Sequence, residues 1–158
     1  MRTMEEIILH CSATPNGQPF TAADIRRWHT DPPPPAPPPN GRGWSDIGYH
    51  YVIRLDGQVE TGRPESTVGA HAQGHNQHSL GICLIGGGGP EDPQTAQFTP
   101  AQWQALEALV KDLMARYPGV RILGHRQVEP HKTCPNFDVP TWQAHGMKPQ
   151  PQHIWSAP

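Results

Sequence analysis

Apolar positions along this chain fall into short, well-separated runs. Ile7-Ile8-Leu9 is continuous and stops at His10, the pattern of a strand buried on both faces. Residues 49–55 alternate instead, with Tyr49, Tyr51, Ile53 and Leu55 on one face and His50, Val52 and Arg54 on the other. Asp56-Gly57 then reads as a hairpin turn and 58–61 as the returning strand. Leu80 to Ile85 is a second continuous run, expected to be a central strand, and residues 120–124 form a last one, ending at His125.

Helical spacing occurs in three places. Thr21 can cap a helix through Ala22, Ile25 and Trp28 that stops near His29. Thr99-Pro100 opens the longest helix, in which Trp103, Leu106, Leu109, Val110 and Leu113 make one apolar stripe that ends at Tyr117-Pro118-Gly119. A short helix is expected from Val139 to His145. Strands alternating with helices predict a single α/β domain, a central and mostly buried mixed β-sheet flanked by helices. The domain is expected over 1–145, with residues 146–158 a frayed, flexible tail.

Seven of the eight positions 32–39 are proline, and Asn40-Gly41-Arg42-Gly43 follows. Such a run cannot be helix or central strand, so 32–43 is expected to be an extended surface insertion, with a docking ligand for a partner domain or a rim of a substrate groove as the alternatives. The four glycines at 86–89 lack the Lys-Ser/Thr of a phosphate loop and are expected to form a flexible loop.

Composition narrows the function. At 158 residues the chain fits one domain able to bury about 70% of its unfolded surface. The formal net charge is −2 and no Lys/Arg cluster is present, which argues against a nucleic-acid or anionic-membrane surface. Hydrophobic content is only 35%, largely because of 20 prolines and 16 glycines. No run approaches a membrane span, and Met1 to Glu6 does not resemble a secretory signal, so a cytoplasmic monomer is expected. In that compartment Cys11, Cys83 and Cys134 stay reduced.

The chemistry is concentrated where runs end. His10 and His125 each terminate an apolar run, and Cys134 follows nine positions after His125 in a loop closed by Pro135. Two imidazoles and a thiolate could hold a zinc ion and leave a fourth tetrahedral position open. A lone histidine at a strand end is as readily a hydrogen-bonding group, and no compact ligand motif decides between the two readings.

Five short motifs occur in order: Ile8-Leu9-His10-Cys11-Ser12-Ala13-Thr14, Ile47-Gly48-Tyr49-His50-Tyr51, Val68-Gly69-Ala70-His71, Ser79-Leu80-Gly81-Ile82 and Lys132-Thr133-Cys134-Pro135. Together, over about residues 5–142, they resemble the zinc-dependent N-acetylmuramoyl-L-alanine amidases of the short phage lysozyme type. The resemblance implies hydrolysis of the amide between muramic acid and the first L-alanine of the peptidoglycan stem. It implies Zn2+ on His10, His125 and Cys134, catalytic roles for Tyr49 and Lys132, and a substrate groove lined by the segment with His71 and Asn76. For His71 a structural hydrogen bond is the rival role. It also implies an endolysin that reaches the wall once the membrane is permeabilised. A muropeptide-recycling amidase and a non-catalytic peptidoglycan-binding module remain alternatives. The spacing from His125 to Cys134 is one residue longer than in the family pattern, around Pro130-His131, which makes His131 a competing ligand. Where one branch of the wider family has a glutamate, this chain has Cys83, so the base would be the Tyr49 phenol or the zinc-bound hydroxide.

Overall fold

The first apolar run becomes strand β1 (Glu6–Cys11), whose six residues are all buried. It is the middle of a cluster of parallel strands, paired with β4 (Ser79–Leu84) on one side and β5 (Arg121–Gly124) on the other. Strand β2 (Tyr51–Ile53) adds in parallel to β4, and β3 (Val59–Thr61) closes the edge antiparallel to β2. The resulting mixed sheet has the order β3-β2-β4-β1-β5. This is the computed structural model of the chain, and it describes residues 2–88 and 96–157. Gly89, the last of the four-glycine run, lies outside the described residues.

The two sheet faces are packed differently. Ile7, Leu9, Leu80, Ile82, Leu84 and Ile122 face helix α2 (Pro100–Arg116), which buries Trp103, Leu106, Val110 and Leu113 against them. The start of α2 is fixed by a reciprocal cap between Thr99 and Gln102, with Pro100 in the first turn. The other face carries a smaller cluster in which Ala22 and Ile25 of helix α1 (Ala22–Thr30) cover Ile47, Val52, Cys83 and Ile85. Two short helices complete the fold: α3 (His125–Val128) directly after β5, and α4 (Val139–Ala144).

Three details depart from the sequence pattern. The strand expected at 49–55 contracts to 51–53, and outside it the period-two rule lapses. Tyr51 and Ile53 pack toward α2, whereas Tyr49 and Leu55 join Val52 in the α1 cluster.

The proline-rich segment is not an extended spacer. It turns back on α1, with the Asn40 side chain donating to the carbonyls of Pro32 and Ala36. The backbone amides of Arg42 and Trp44 then donate to the carbonyls of Trp28 and His29 at 3.1 and 2.8 Å. The last carbonyls of α1, which no intrahelical donor reaches, are satisfied by this return. Gly86–Gly88 are likewise tied down, through Thr14 N to Gly86 O, Gly88 N to Thr14 O, and Gly87 N to Asn16 Oδ1.

The expectation of a frayed tail past residue 145 is corrected. Met147 and His153 are buried, and Trp155 lies directly on Gly17. Phe98 N donates to His153 O, Trp155 N to Phe98 O, and the Trp103 indole N–H to His153 O at 2.9 Å. Apolar residues scattered among prolines give no periodic signal, yet here they cover the aromatic cluster of Phe98, Trp103 and Phe137.

Candidate active site

Register places the first two donors. Leu9 lies opposite Gly124 across the parallel β1–β5 pair, so the next residue of each chain segment, His10 and His125, emerges at the same carboxyl-terminal end of the sheet. His125 is also the first residue of α3, where the chain leaves the sheet plane. The two rings lie 4.5 Å apart. The loop after α3 returns through Arg126 N to Cys134 O at 2.8 Å, and Asn136 anchors it to Gly87 O. That return brings Cys134 beneath the histidines. One donor atom from each of His10, His125 and Cys134 lies within 4.8 Å of the others.

The donor set fits zinc in chemistry and spacing. Two ligands of one tetrahedral zinc, at about 2.05 Å for nitrogen and about 2.3 Å for sulfur, lie roughly 3.6 Å apart. His10 Nδ1 and Cys134 Sγ are 3.8 Å apart. Burial, reinforced by the neighbouring His71 and His125, holds His10 well below the usual histidine range, and burial also lowers His125. Both imidazoles are therefore neutral, the form a metal takes. Burial pushes the Cys134 thiol up, so in this setting its proton leaves only against a cation. The backbone N–H of Cys11 already donates to this sulfur at 3.2 Å.

Above these donors opens a cleft of about 370 Å³, walled by Tyr49, His71, Asn76, His125 and Lys132 among others. Tyr49 stacks obliquely on His10 with centroids 5.0 Å apart, and its hydroxyl meets the Cys83 thiol. Burial, then the nearby Cys83, raises the phenol well above its usual range, so it rests protonated. Lys132 is exposed, and its backbone N–H is tied to Glu129 O at 2.8 Å.

His71 and Asn76 line the cleft but spend much of their polarity inside the protein. His71 Nδ1 lies 2.9 Å from His10 Nε2 and its Nε2 3.2 Å from Ser79 Oγ. Asn76 Oδ1 accepts from the backbone N–H groups of His71 and Ala72, both at 2.9 Å. His131 is exposed and stands outside the three-donor group. His50 accepts from Gly81 N at 3.1 Å, and its ring lies 5.8 Å from that of His71.

Sequence reasoning passed over four cleft residues: His29, Arg42, Trp44 and Glu129. His29 looked like the end of a helix, but its Nδ1 accepts from Gly48 N at 2.9 Å and its ring packs on Trp44 and Tyr49. Arg42 lies over Trp44 at 4.9 Å and reaches the rim only because the proline segment folds back. Glu129 hydrogen-bonds the ring of His125. Its four-residue spacing from that histidine was the one available signal.

Comparison with known proteins gives the family. The N-acetylmuramoyl-L-alanine amidase family profile matches residues 1–137. The endolysin of Enterobacteria phage T3 is 44% identical over 140 residues, 89% of this chain and 85% of that protein. The endolysin of Escherichia phage T7 is 43% identical over 138 residues, 87% of this chain and 84% of that one. Among solved structures, the amidase LysC from Clostridium intestinale URNW superposes with a TM-score of 0.73 at 32% identity, covering 91% of this chain and 85% of its own. By the family match over residues 1–137 and the identity to these relatives, the chain belongs to the N-acetylmuramoyl-L-alanine amidase family.

Proposed function

We propose that this protein is a zinc-dependent endolysin of phage or prophage origin. It hydrolyses the amide between N-acetylmuramic acid and L-alanine in peptidoglycan and so lyses the bacterial wall. The observation that carries the reading is the convergence of His10, His125 and Cys134, with His125 lining a cleft.

An unstrained amide resists hydrolysis because water is a poor nucleophile and the amine a poor leaving group. Zinc supplies Lewis acidity, enough to bring the ionisation of water toward pH ~7. The chain's own groups do the rest. As negative charge develops on the carbonyl oxygen, the Lys132 ammonium and the protonated Tyr49 phenol, both lining the cleft, offer donors to it. His71 holds the first imidazole ligand from behind, and Asn76 fixes the backbone turn that carries His71. His29 packs between Trp44 and Tyr49 in this wall and holds the Tyr49 ring in place.

A non-catalytic binding module is disfavoured by the intact set of Cys134, Tyr49 and Lys132. A recycling amidase is disfavoured by Cys83 at the position where one branch carries a glutamate. No helix among the described residues is long and apolar enough to cross a membrane. Mass spectrometry of peptidoglycan digested by the purified protein is the test. Free stem peptides beginning at L-alanine are expected, lost on chelation and regained with zinc. Products cut between sugars would reject the reading, and turnover of soluble fragments but not of intact sacculi would favour recycling.

A further inference from the structure

Glu129 is neither one of the three donors nor part of the amide chemistry described above, yet its carboxylate is held from both walls of the cleft. One oxygen accepts from His125 Nε2, and the backbone N–H of Gln73, across the cleft, donates to the same carboxylate. The side chain is only 12% exposed. Helix α3 sets the pairing, because Glu129 N donates back to His125 O at 3.0 Å and closes a single helical turn between them.

A carboxylate only accepts hydrogen bonds, so the contact requires the ring proton of His125 on Nε2. The lone pair then sits on Nδ1. His10 shows the same arrangement: its Nε2 is taken by His71 at 2.9 Å, and its Nδ1 faces Cys134 at 3.8 Å. Among the described residues the compact donor group contains His10, His125 and Cys134 without Glu129, so the carboxylate contacts a donor without being one.

We propose that Glu129 is a positioning residue that fixes the tautomer and orientation of His125, so that this imidazole presents Nδ1 to a divalent metal beside His10 and Cys134. The proposal rests on the metal reading of those three donors. Carboxylate partners of histidine ligands raise ligand basicity and remove the freedom of the ring to turn.

The test measures zinc affinity of the purified full-length chain by competition with a chromophoric chelator, for the parent, Glu129→Gln and Glu129→Ala. Melting temperatures of the metal-free forms are recorded alongside. Glu129→Ala is expected to bind zinc about 10–100-fold more weakly. Glu129→Gln should fall between, because its amide oxygen still accepts from Nε2–H but carries no charge. A role confined to folding would lower the metal-free melting temperature and leave affinity alone. Equal zinc affinity in parent and variants overturns the proposal. Should Glu129→Ala fail to fold, Glu129→Gln decides alone: weaker zinc binding supports the inference and unchanged binding overturns it. A parent that binds no zinc removes the metal reading and this inference together, whereas a zinc-binding parent matched by its variants removes only the role of Glu129.

Discussion

His10 Nε2 lies 2.9 Å from His71 Nδ1, and His71 passes the contact to Ser79 Oγ at 3.2 Å, so three buried polar groups are joined in one chain at the wall of the cleft. Gly81 makes room for this line: a Cβ there would come within 2.6 Å of the His71 ring. Gly81→Ala is therefore expected to displace His71 and leave buried donors without partners, at a cost of about 1–3 kcal/mol in denaturant unfolding. An unchanged unfolding midpoint would contradict the arrangement.

Cys134→Ser should lose zinc and wall lysis together. A serine hydroxyl is a harder and far less acidic donor than a thiol, and the Cys11 amide loses the sulfur it donates to. Metal analysis of the dialysed variant, read with turbidity loss of a cell-wall suspension, is the check. Zinc retained with full activity would remove Cys134 from the ligand set.

Tyr49→Phe and Lys132→Met are expected to bind zinc as the parent does while lowering kcat by roughly 10²–10³-fold each, the usual cost of removing a donor from a developing oxyanion. Loss of zinc in either variant would place that residue in the metal site instead.

Acid should weaken the fold in two stages. Burial, helped by Arg42 and Arg63, lowers His29 from 6.5 to about 4, so the unfolded chain takes up this proton first and stability falls as pH drops from 6.5 toward 4. The Arg116 guanidinium, together with Tyr117 and Tyr51, lowers Glu65 from 4.5 to about 2. Its stabilisation is complete above pH 4.5 and is lost between there and 2. Denaturant titrations at successive pH values should show both slopes, with Glu65→Gln making the lower one shallower, since Asp24, Asp46 and Glu129 are also held below the usual carboxylate range.

Truncation after Gly146 should lower the melting temperature by on the order of 10 °C, since buried Met147 and the strap over Phe98 and Trp103 are lost together. A fully stable truncated chain would mean that the tail only rests on the surface.

Much of this protein was legible in one dimension. The runs ending at His10 and His125 announced buried strands, the capped stripe at 100–116 announced α2, and five ordered motifs led to the family. Local rules suffice there because period and capping depend on neighbours within a few residues. Contacts between distant segments were another matter. That the proline run would fold back to cap α1, that the tail would close over aromatic side chains, and that Tyr49 would leave the face of Tyr51 all depend on surfaces that exist only once the sheet has formed. The same holds for His71: which nitrogen of His10 it occupies is a matter of ångströms between separate elements, and the tertiary structure alone decides it.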